Sequence, residues 1–317
     1  MKFTHDTLPQ RVVFASGAAQ GAVAAEIERL GAKRVMVIAA PEEASLADAV
    51  SENLPVAVRH DEVVMHVPVR VAGRAREAAV QAAADALLCV GGGSTTGLAK
   101  AVAMTGSPVA GLPIVAVPTT YAGSEATNVW GLTEGEAKTT GVDNAVLPRS
   151  IVYDAALTLT LPVGMSVASG LNAVAHCVDS MWAPRTDPIN RALAGEGISG
   201  LAAGLPAVVA DPAGIEGREQ TLYGAYLAAV AFASAGSGMH HKICHVLGGM
   251  FNLPHAQTHA VVLPHVLAFN GPSAPEAERR IARAFGAPTA TAWSAVSSTC
   301  ARLTPARLLP RRHAAAR

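Results

Sequence analysis

Ala86-Leu-Leu-Cys-Val-Gly-Gly-Gly-Ser94 decides the fold. Five apolar residues run straight into three glycines and a serine, and the helical stretch Thr95 to Met104 follows. A continuous apolar run of this length reads as a strand buried on both faces. Glycine leaves no side chain between backbone and ligand. The N–H groups that open a helix, with the helix dipole, suit a phosphate or pyrophosphate. Gly91, Gly92, Gly93 and Ser94 are therefore candidate cofactor-binding residues, and Ser94 is placed to cap the helix. The stretch is neither GxGxxG nor a P-loop, because no Lys-Ser/Thr pair follows. Taken alone it is equally an ordinary tight strand–helix turn.

Similar apolar runs lie on either side: Arg34 to Ala39, Pro113 to Val117 and Ile151 to Tyr153. Helical stretches, Gly17 to Leu30 and Val71 to Asp85, alternate with them, which predicts a parallel sheet covered on both faces. After Leu161-Pro162 the rhythm changes. Val167 to Trp182, Pro188 to Leu201, Glu219 to Ala235 and Glu276 to Phe285 are Ala- and Leu-rich segments separated by Pro and Gly breaks, the pattern of an all-helical unit. The expected architecture is an α/β dinucleotide-binding domain over residues 1–155 and an all-α domain over 156–317. The border lies near Asp154 to Pro162, and the cleft between the halves is the natural ligand site.

A second turn supports the nucleotide reading. Val117-Pro-Thr-Thr-Tyr-Ala-Gly-Ser-Glu125 also follows a strand and carries hydroxyls and a glycine at its tip. Ligands of α/β sheets bind at the carboxyl ends of the strands. Two such loops favour a dinucleotide, although Thr119 and Thr120 also suit ordinary hydroxyl-turn chemistry.

Composition narrows the partner. Among 317 residues, 50% are hydrophobic and 15% charged, and mean hydropathy is +0.32, so the chain can fill a large core. Lys and Arg total 24, as do Asp and Glu, which leaves no bulk field for nucleic acid or anionic membrane. Aromatics at 4% are too sparse for single-strand stacking. A small molecule is the expected partner. Cys89, Cys177, Cys244 and Cys300 form no CxxC pair, so a reducing, cytoplasmic setting is expected. Residues 1–11 lack the apolar region of a signal peptide. Gln220 to Met239 carries no charge over 20 residues, but its Ala, Gly and Ser content and the following His240-His241 read as a buried helix rather than a membrane span.

Six of the eleven histidines fall between residues 240 and 265. His241 and His245 are four apart and share one helix face, as do Asn172 and His176 upstream. The break at Gly248-Gly249 and Asn252-Leu253-Pro254 can turn His255 back toward that face. Clustered imidazoles are metal ligands or proton donors. His176, His241, His245 and His255 are the candidates, whereas His240, His259, His265 and His5 read as structural.

These motifs together resemble the iron-containing (group III) alcohol dehydrogenase family, related in fold to dehydroquinate synthase, from about residue 8 to 290. The resemblance rests on GGGS at 91–94, PTT at 118–120, GSE at 123–125 and His241-x3-His245-x9-His255. Within the family the chain is most similar to the maleylacetate reductases through Pro118 to Glu125, Glu136-Ala-Lys-Thr-Thr140 and Ser169 to His176. The resemblance implies NADH- or NADPH-dependent reduction of the C=C bond of maleylacetate, and of chloromaleylacetate, to 3-oxoadipate in aromatic catabolism. The substrate is then a small dicarboxylate and the enzyme a homodimer. It also implies that the glycine loop holds the pyrophosphate. Thr119, Thr120, Ser124 and Thr127 would line the nicotinamide and ribose side, and Lys138 would reach the ribose.

The family's one-Asp, three-His metal set falls on Asn172, His176, His241 and His255, with His245 as an extra active-site imidazole. A neutral amide at Asn172 is a poorer ligand for a hard cation than a carboxylate. Metal is therefore not expected to be required, and any ion retained would sit on His176, His241 and His255. A metal-dependent alcohol or polyol dehydrogenase of the same fold is the alternative. The tail supplies a third reading. Beyond Glu278 the remaining 39 residues hold no carboxylate and eight arginines, the mark of a shifted frame or truncated gene, or else of a basic interaction tail. A non-catalytic nucleotide-binding remnant would follow from truncation. Exhaustive chelation separates the first two readings: turnover should survive it, and strict dependence on added metal would refute the expectation.

Overall fold

The computed structural model describes residues 1–135, 137–251 and 253–290. The first half runs β1 (Arg11–Phe14), α1 (Ala19–Leu30), β2 (Val35–Ile38), α2 (Ala44–Ser51), β3 (Val56–His60), α3 (Val69–Gln81), β4 (Ala86–Gly91), α4 (Gly93–Ala103), β5 (Ile114–Pro118), β6 (Val129–Glu134), β7 (Ala137–Val142) and β8 (Ser150–Tyr153). The helical half follows with α5 (Val163–Trp182), α6 (Pro188–Ala210), α7 (Ile215–Ala235), α8 (Met239–Phe251), α9 (His255–Asn270) and α10 (Pro275–Ala284).

Six strands form one parallel sheet in the order β1-β8-β5-β4-β2-β3. Alternation along the central strands explains why they read as unbroken apolar runs. Met36, Ile38, Leu87, Cys89 and Ile114 pack under α3 and α4, while Val35, Val37, Leu88, Val90 and Val115 pack under α1 and α2. Both faces are dry, so no position in β4 or β5 needs a polar residue. Helix α1 stops at Gly31, which adopts the left-handed conformation at φ 70°.

Four of the eight strands among the described residues were not legible. β1 and β3 lie at the sheet edges and are half exposed, and their polar positions blur the apolar signal. The antiparallel hairpin β6–β7 interrupts the strand–helix alternation altogether.

The helical half is built on close backbone approach. Gly197 and Gly200 of α6 face Gly224 of α7; a β-carbon at Gly224 would lie 2.8 Å from the Gly197 carbonyl oxygen. Asp187 caps α6 by accepting from the N–H groups of Ile189 and Asn190, with Pro188 in the first turn. The uncharged stretch Gln220 to Met239 is not one helix. α7 ends at Ala235, Gly236 takes φ 82°, and α8 leaves at 97°. α6 is long and apolar enough by length and composition to cross a membrane, and it packs here between α5 and α7.

One apolar cluster joins the halves: Tyr121, Ile151 and Tyr153 from the sheet side pack with Val167, Leu171 and Val174 of α5. The arginine-rich tail, residues 291–317, lies outside the described residues. Gly224→Ala should lower stability by about 1–3 kcal/mol, the usual result of overfilling a packed interface. A thermal melt beside wild type measures it, and an unchanged midpoint would mean that α6 and α7 can separate freely.

Candidate active site

The carboxyl ends of β4 and β5 are neighbours, and the two loops that leave them touch. Gly91 adopts φ 148°, where a β-carbon would also come within 2.5 Å of Thr95 Oγ1. A β-carbon at Gly92 would meet Thr120 Cγ2 at 2.9 Å. The Thr119 amide donates to the Gly91 carbonyl at 3.2 Å. Helix α4 begins at Gly93, so Gly92 is the capping residue and Ser94 already lies in the first turn. The expected Ser94 cap is thus absent: the helix starts two residues early, and the Ser94 side chain makes no capping hydrogen bond. The N–H groups of the first turn have no intrahelical acceptor, and Gly92 and Gly93 at the helix start are only partly buried. The loop fits a pyrophosphate.

Beneath the second loop sits Lys100 of α4, fully buried. Its Nζ donates to the carbonyl oxygens of Ser124 (2.6 Å) and Val129 (2.8 Å) and to Thr127 Oγ1 (3.1 Å). Burial pushes the amine down to about 7, against the opposing charge of Glu125. The Thr127 hydroxyl is thereby committed: it also donates to the Ser124 carbonyl and accepts from the Val129 amide. Thr127 therefore belongs to the floor of the loop. Thr119 donates its hydroxyl to Glu43 Oε1 at 2.7 Å. Tyr153 donates to Glu125 Oε1 at 2.8 Å, and burial raises that carboxyl. The Tyr121 amide donates to Ser169 Oγ of α5 at 3.1 Å. This bond carries the nucleotide side to within one turn of Asn172.

Helix α5 presents Asn172, His176 and Asp179 at spacings of four and three, on one face. Opposite stand His240, His241 and His245 of α8 and His255 and His259 of α9. Ring centroids are 4.8 Å apart for His176–His241, 6.3 Å for His241–His245, 6.2 Å for His245–His255 and 4.3 Å for His255–His259. Phe232 of α7 lies against His176 and His241 at 4.7 and 4.5 Å. The four sequence-derived histidines thus form a connected row. His176 and His241 are buried at its inner end, and His245 and His255 open to solvent at the mouth. Burial of their rings, helped by the positive charge of Lys138 on the hairpin and by neighbouring imidazoles, holds His245 and His255 below the ordinary imidazole range. Lys242 is exposed.

Asp179 is the residue that the sequence reading missed. Its Oδ2 accepts from His241 Nδ1 at 2.7 Å and from the backbone amides of Gly238 and His241 at 3.0 and 3.2 Å. Burial alone would raise this carboxyl; the His241 hydrogen bond and charge hold it below its usual range. A carboxylate only accepts, so His241 carries its proton on Nδ1 and turns Nε2 into the site. The clue available was the run Asn172-x3-His176-x2-Asp179. His240 and His259, read from sequence as structural, also sit inside the cluster, 4.9 Å apart.

Asn172 Oδ1, His176 Nδ1 and His241 Nε2 are buried with no hydrogen-bond partner. Three of the four positions carried over from the family's metal set thus hold buried donors without a protein partner. Asn172 brings no charge, and the ring of His255 lies against His259 and His245. Among the described residues, the three donor atoms that converge to within 4.8 Å of one another belong to His240, His241 and His259.

Burial drives His176 and His259 far below the ordinary imidazole range, helped by neighbouring imidazoles, and His240 down to about 4. The unfolded chain takes up these protons near 6.5 while the folded protein refuses them. Stability is therefore full above about pH 6.5 and falls on acidification, until His240 at least protonates in the folded state near pH 4. The loss should reach about 1.4 kcal/mol per pH unit for each such group. Melts between pH 7 and 5 should show a midpoint that falls with pH, less steeply in His240→Asn; equal slopes would contradict the burial of that ring in its neutral form.

Comparison with known proteins agrees with this architecture. Residues 9–155 match the family described as iron-containing alcohol dehydrogenase, and residues 166–305 match the C-terminal part of the Fe-containing alcohol dehydrogenase family. The maleylacetate reductase of Pseudomonas sp. (strain P51) is 47% identical over 279 residues, which covers 87% of this chain and 78% of that protein. An iron-containing alcohol dehydrogenase structure from Corynebacterium glutamicum superposes with a TM-score of 0.92 at 62% identity, covering 95% of this chain and 84% of that one. The maleylacetate reductase structure from Agrobacterium tumefaciens gives 0.89 at 40% identity, covering 96% and 85%. With both halves matched and relatives near 50% identity, the chain belongs to the iron-containing alcohol dehydrogenase family.

Proposed function

We propose that the chain is a maleylacetate reductase, an oxidoreductase that reduces a carbon–carbon double bond conjugated to a ketone at the expense of NADH or NADPH. The observation that carries this reading is the imidazole row, with buried, unpaired polar atoms at its inner end, beside the paired loops of β4 and β5. It is supported by relatives of that name at 44–49% identity over most of the chain. Bound NAD(P)H would supply the hydride, delivered to the alkene carbon β to the ketone. The first turn of α4 and Gly91 to Ser94 hold its pyrophosphate, and Thr119, Thr120 and Ser124 edge the nicotinamide side. The strand end Ile38-Ala-Ala-Pro41 offers no acid to the adenosine ribose, and Glu43 is taken up by Thr119. NADPH is therefore accepted beside NADH.

Negative charge develops on the ketone oxygen as an enolate. His241 donates from Nε2 to that oxygen as the imidazolium, whose charge is balanced by the Asp179 carboxylate 2.7 Å from Nδ1. Hydrogen-bond donors fixed in advance at a developing oxyanion are a large source of rate. His245, at the mouth, donates a hydrogen bond or the proton that completes the product. His176 and His255 orient a carboxylate, with the positive charge of Lys138 facing His255. This chemistry runs without a tightly bound metal. By family resemblance, the enzyme acts as a homodimer in the cytoplasm, a setting that suits its buried free thiols at Cys89, Cys177 and Cys244.

NADH oxidation on addition of maleylacetate tests the reading directly. His245→Ala should cut kcat by about 10²-fold or more while a nicotinamide fluorescence titration stays at the wild-type value. Wild-type turnover in that variant removes His245 from the mechanism. Failure to reduce maleylacetate, with metal-dependent oxidation of alcohols instead, overturns the function.

A further inference from the structure

His240, His241 and His259 meet on the inner side of the imidazole row, two from α8 and one from α9. Their exposures are 0%, 2% and 0%. One ring nitrogen from each lies within 4.8 Å of the other two. The rings cross edge to face, at 80° for His240–His241, 63° for His241–His259 and 69° for His240–His259. Protein hydrogen bonds leave His240 Nδ1, His241 Nε2 and both nitrogens of His259 without a partner. Unpaired polar atoms concentrated this densely in a dry interior need an occupant.

The second layer says what kind. Asp179 Oδ2 holds Nδ1–H of His241, and the His259 carbonyl oxygen accepts from Nε2 of His240 at 3.1 Å. Both acceptors fix the tautomer and leave a lone pair on the other nitrogen, the arrangement that orients metal-bound histidines. We propose that His240, His241 and His259 form a site for one divalent transition-metal ion of the imidazole-binding class, zinc or cobalt(II). Two of its three donors lie outside the set Asn172, His176, His241 and His255. Three nitrogen donors with no oxygen ligand disfavour magnesium and calcium and leave a tetrahedral ion one open position. Closure onto metal–nitrogen bonds of about 2.0–2.1 Å requires the rings to rotate within a helix pair already joined by the His240–His259 bond. The ion would take the lone pair of His241 Nε2, the atom assigned above to the enolate oxygen. Metal at this trio therefore opposes the reaction, a consequence that alone rests on the reductase reading.

The test uses the full chain, stripped of metal and titrated with cobalt(II) chloride. Equilibrium dialysis should find about one ion per chain, with the visible d–d bands of a four-coordinate nitrogen site. His259→Asn and His240→Gln should each weaken binding by about tenfold or more, whereas His176→Asn and His255→Asn should retain it. Circular dichroism establishes that each variant is folded, and His240→Gln decides the matter should His259→Asn not fold. No cobalt on folded wild type, or loss of cobalt in His176→Asn or His255→Asn with retention in His259→Asn, would overturn the site. Zinc should also slow NADH oxidation in wild type. If zinc accelerates it, the assignment of His241 in the reaction fails while the site stands on the cobalt data.

Discussion

A single carboxylate oxygen, Asp179 Oδ2, receives three hydrogen bonds, and the helical half is arranged around it. Two come from backbone amides at the start of α8 and one from the ring of His241. They fix where α8 begins after the sharp turn at Gly236, and therefore where every α8 side chain points. Removing the carboxylate would strand a buried imidazole and two amides; breaking one partner out of such a buried arrangement typically costs about 3–5 kcal/mol. The oxygen also sets which nitrogen of His241 faces the ligand. One atom thus settles both a helix origin and a tautomer.

The nucleotide side depends on the same economy of contacts. Lys100 reaches three acceptors on the loop between β5 and β6 with the three donors of an ammonium group. That loop bonds to α5 through Tyr121 and Ser169, one turn from Asn172. A continuous chain of hydrogen bonds and packed residues therefore links the glycine turn to the imidazoles, although they belong to different halves of the molecule.

What the sequence disclosed follows from how strongly each feature is constrained. β4 and β5 are central and dry on both faces, so their residues had to be apolar and were readable. β1 and β3 are edges, and the hairpin β6–β7 mixes glycine, threonine and charge, so no periodicity announced them. Ser94 misled because a glycine took the capping position two residues earlier. The histidines were visible by spacing, but Asp179 was not, since an acidic residue in a helix ordinarily faces water and this one is wholly buried. His240 failed to register because it adjoins His241 and so points elsewhere around α8; only the approach of α9 shows that both rings look inward.

The 2.9 Å approach of a hypothetical β-carbon at Gly92 to Thr120 has a meaning apart from ligand clearance. Position 92 is bare because its neighbouring turn already fills the space, before any nucleotide arrives. The two segments must then be inherited as a unit. A bulkier residue at 92 demands a smaller one at 120, and a graft of either turn into another scaffold carries the obligation to bring its counterpart.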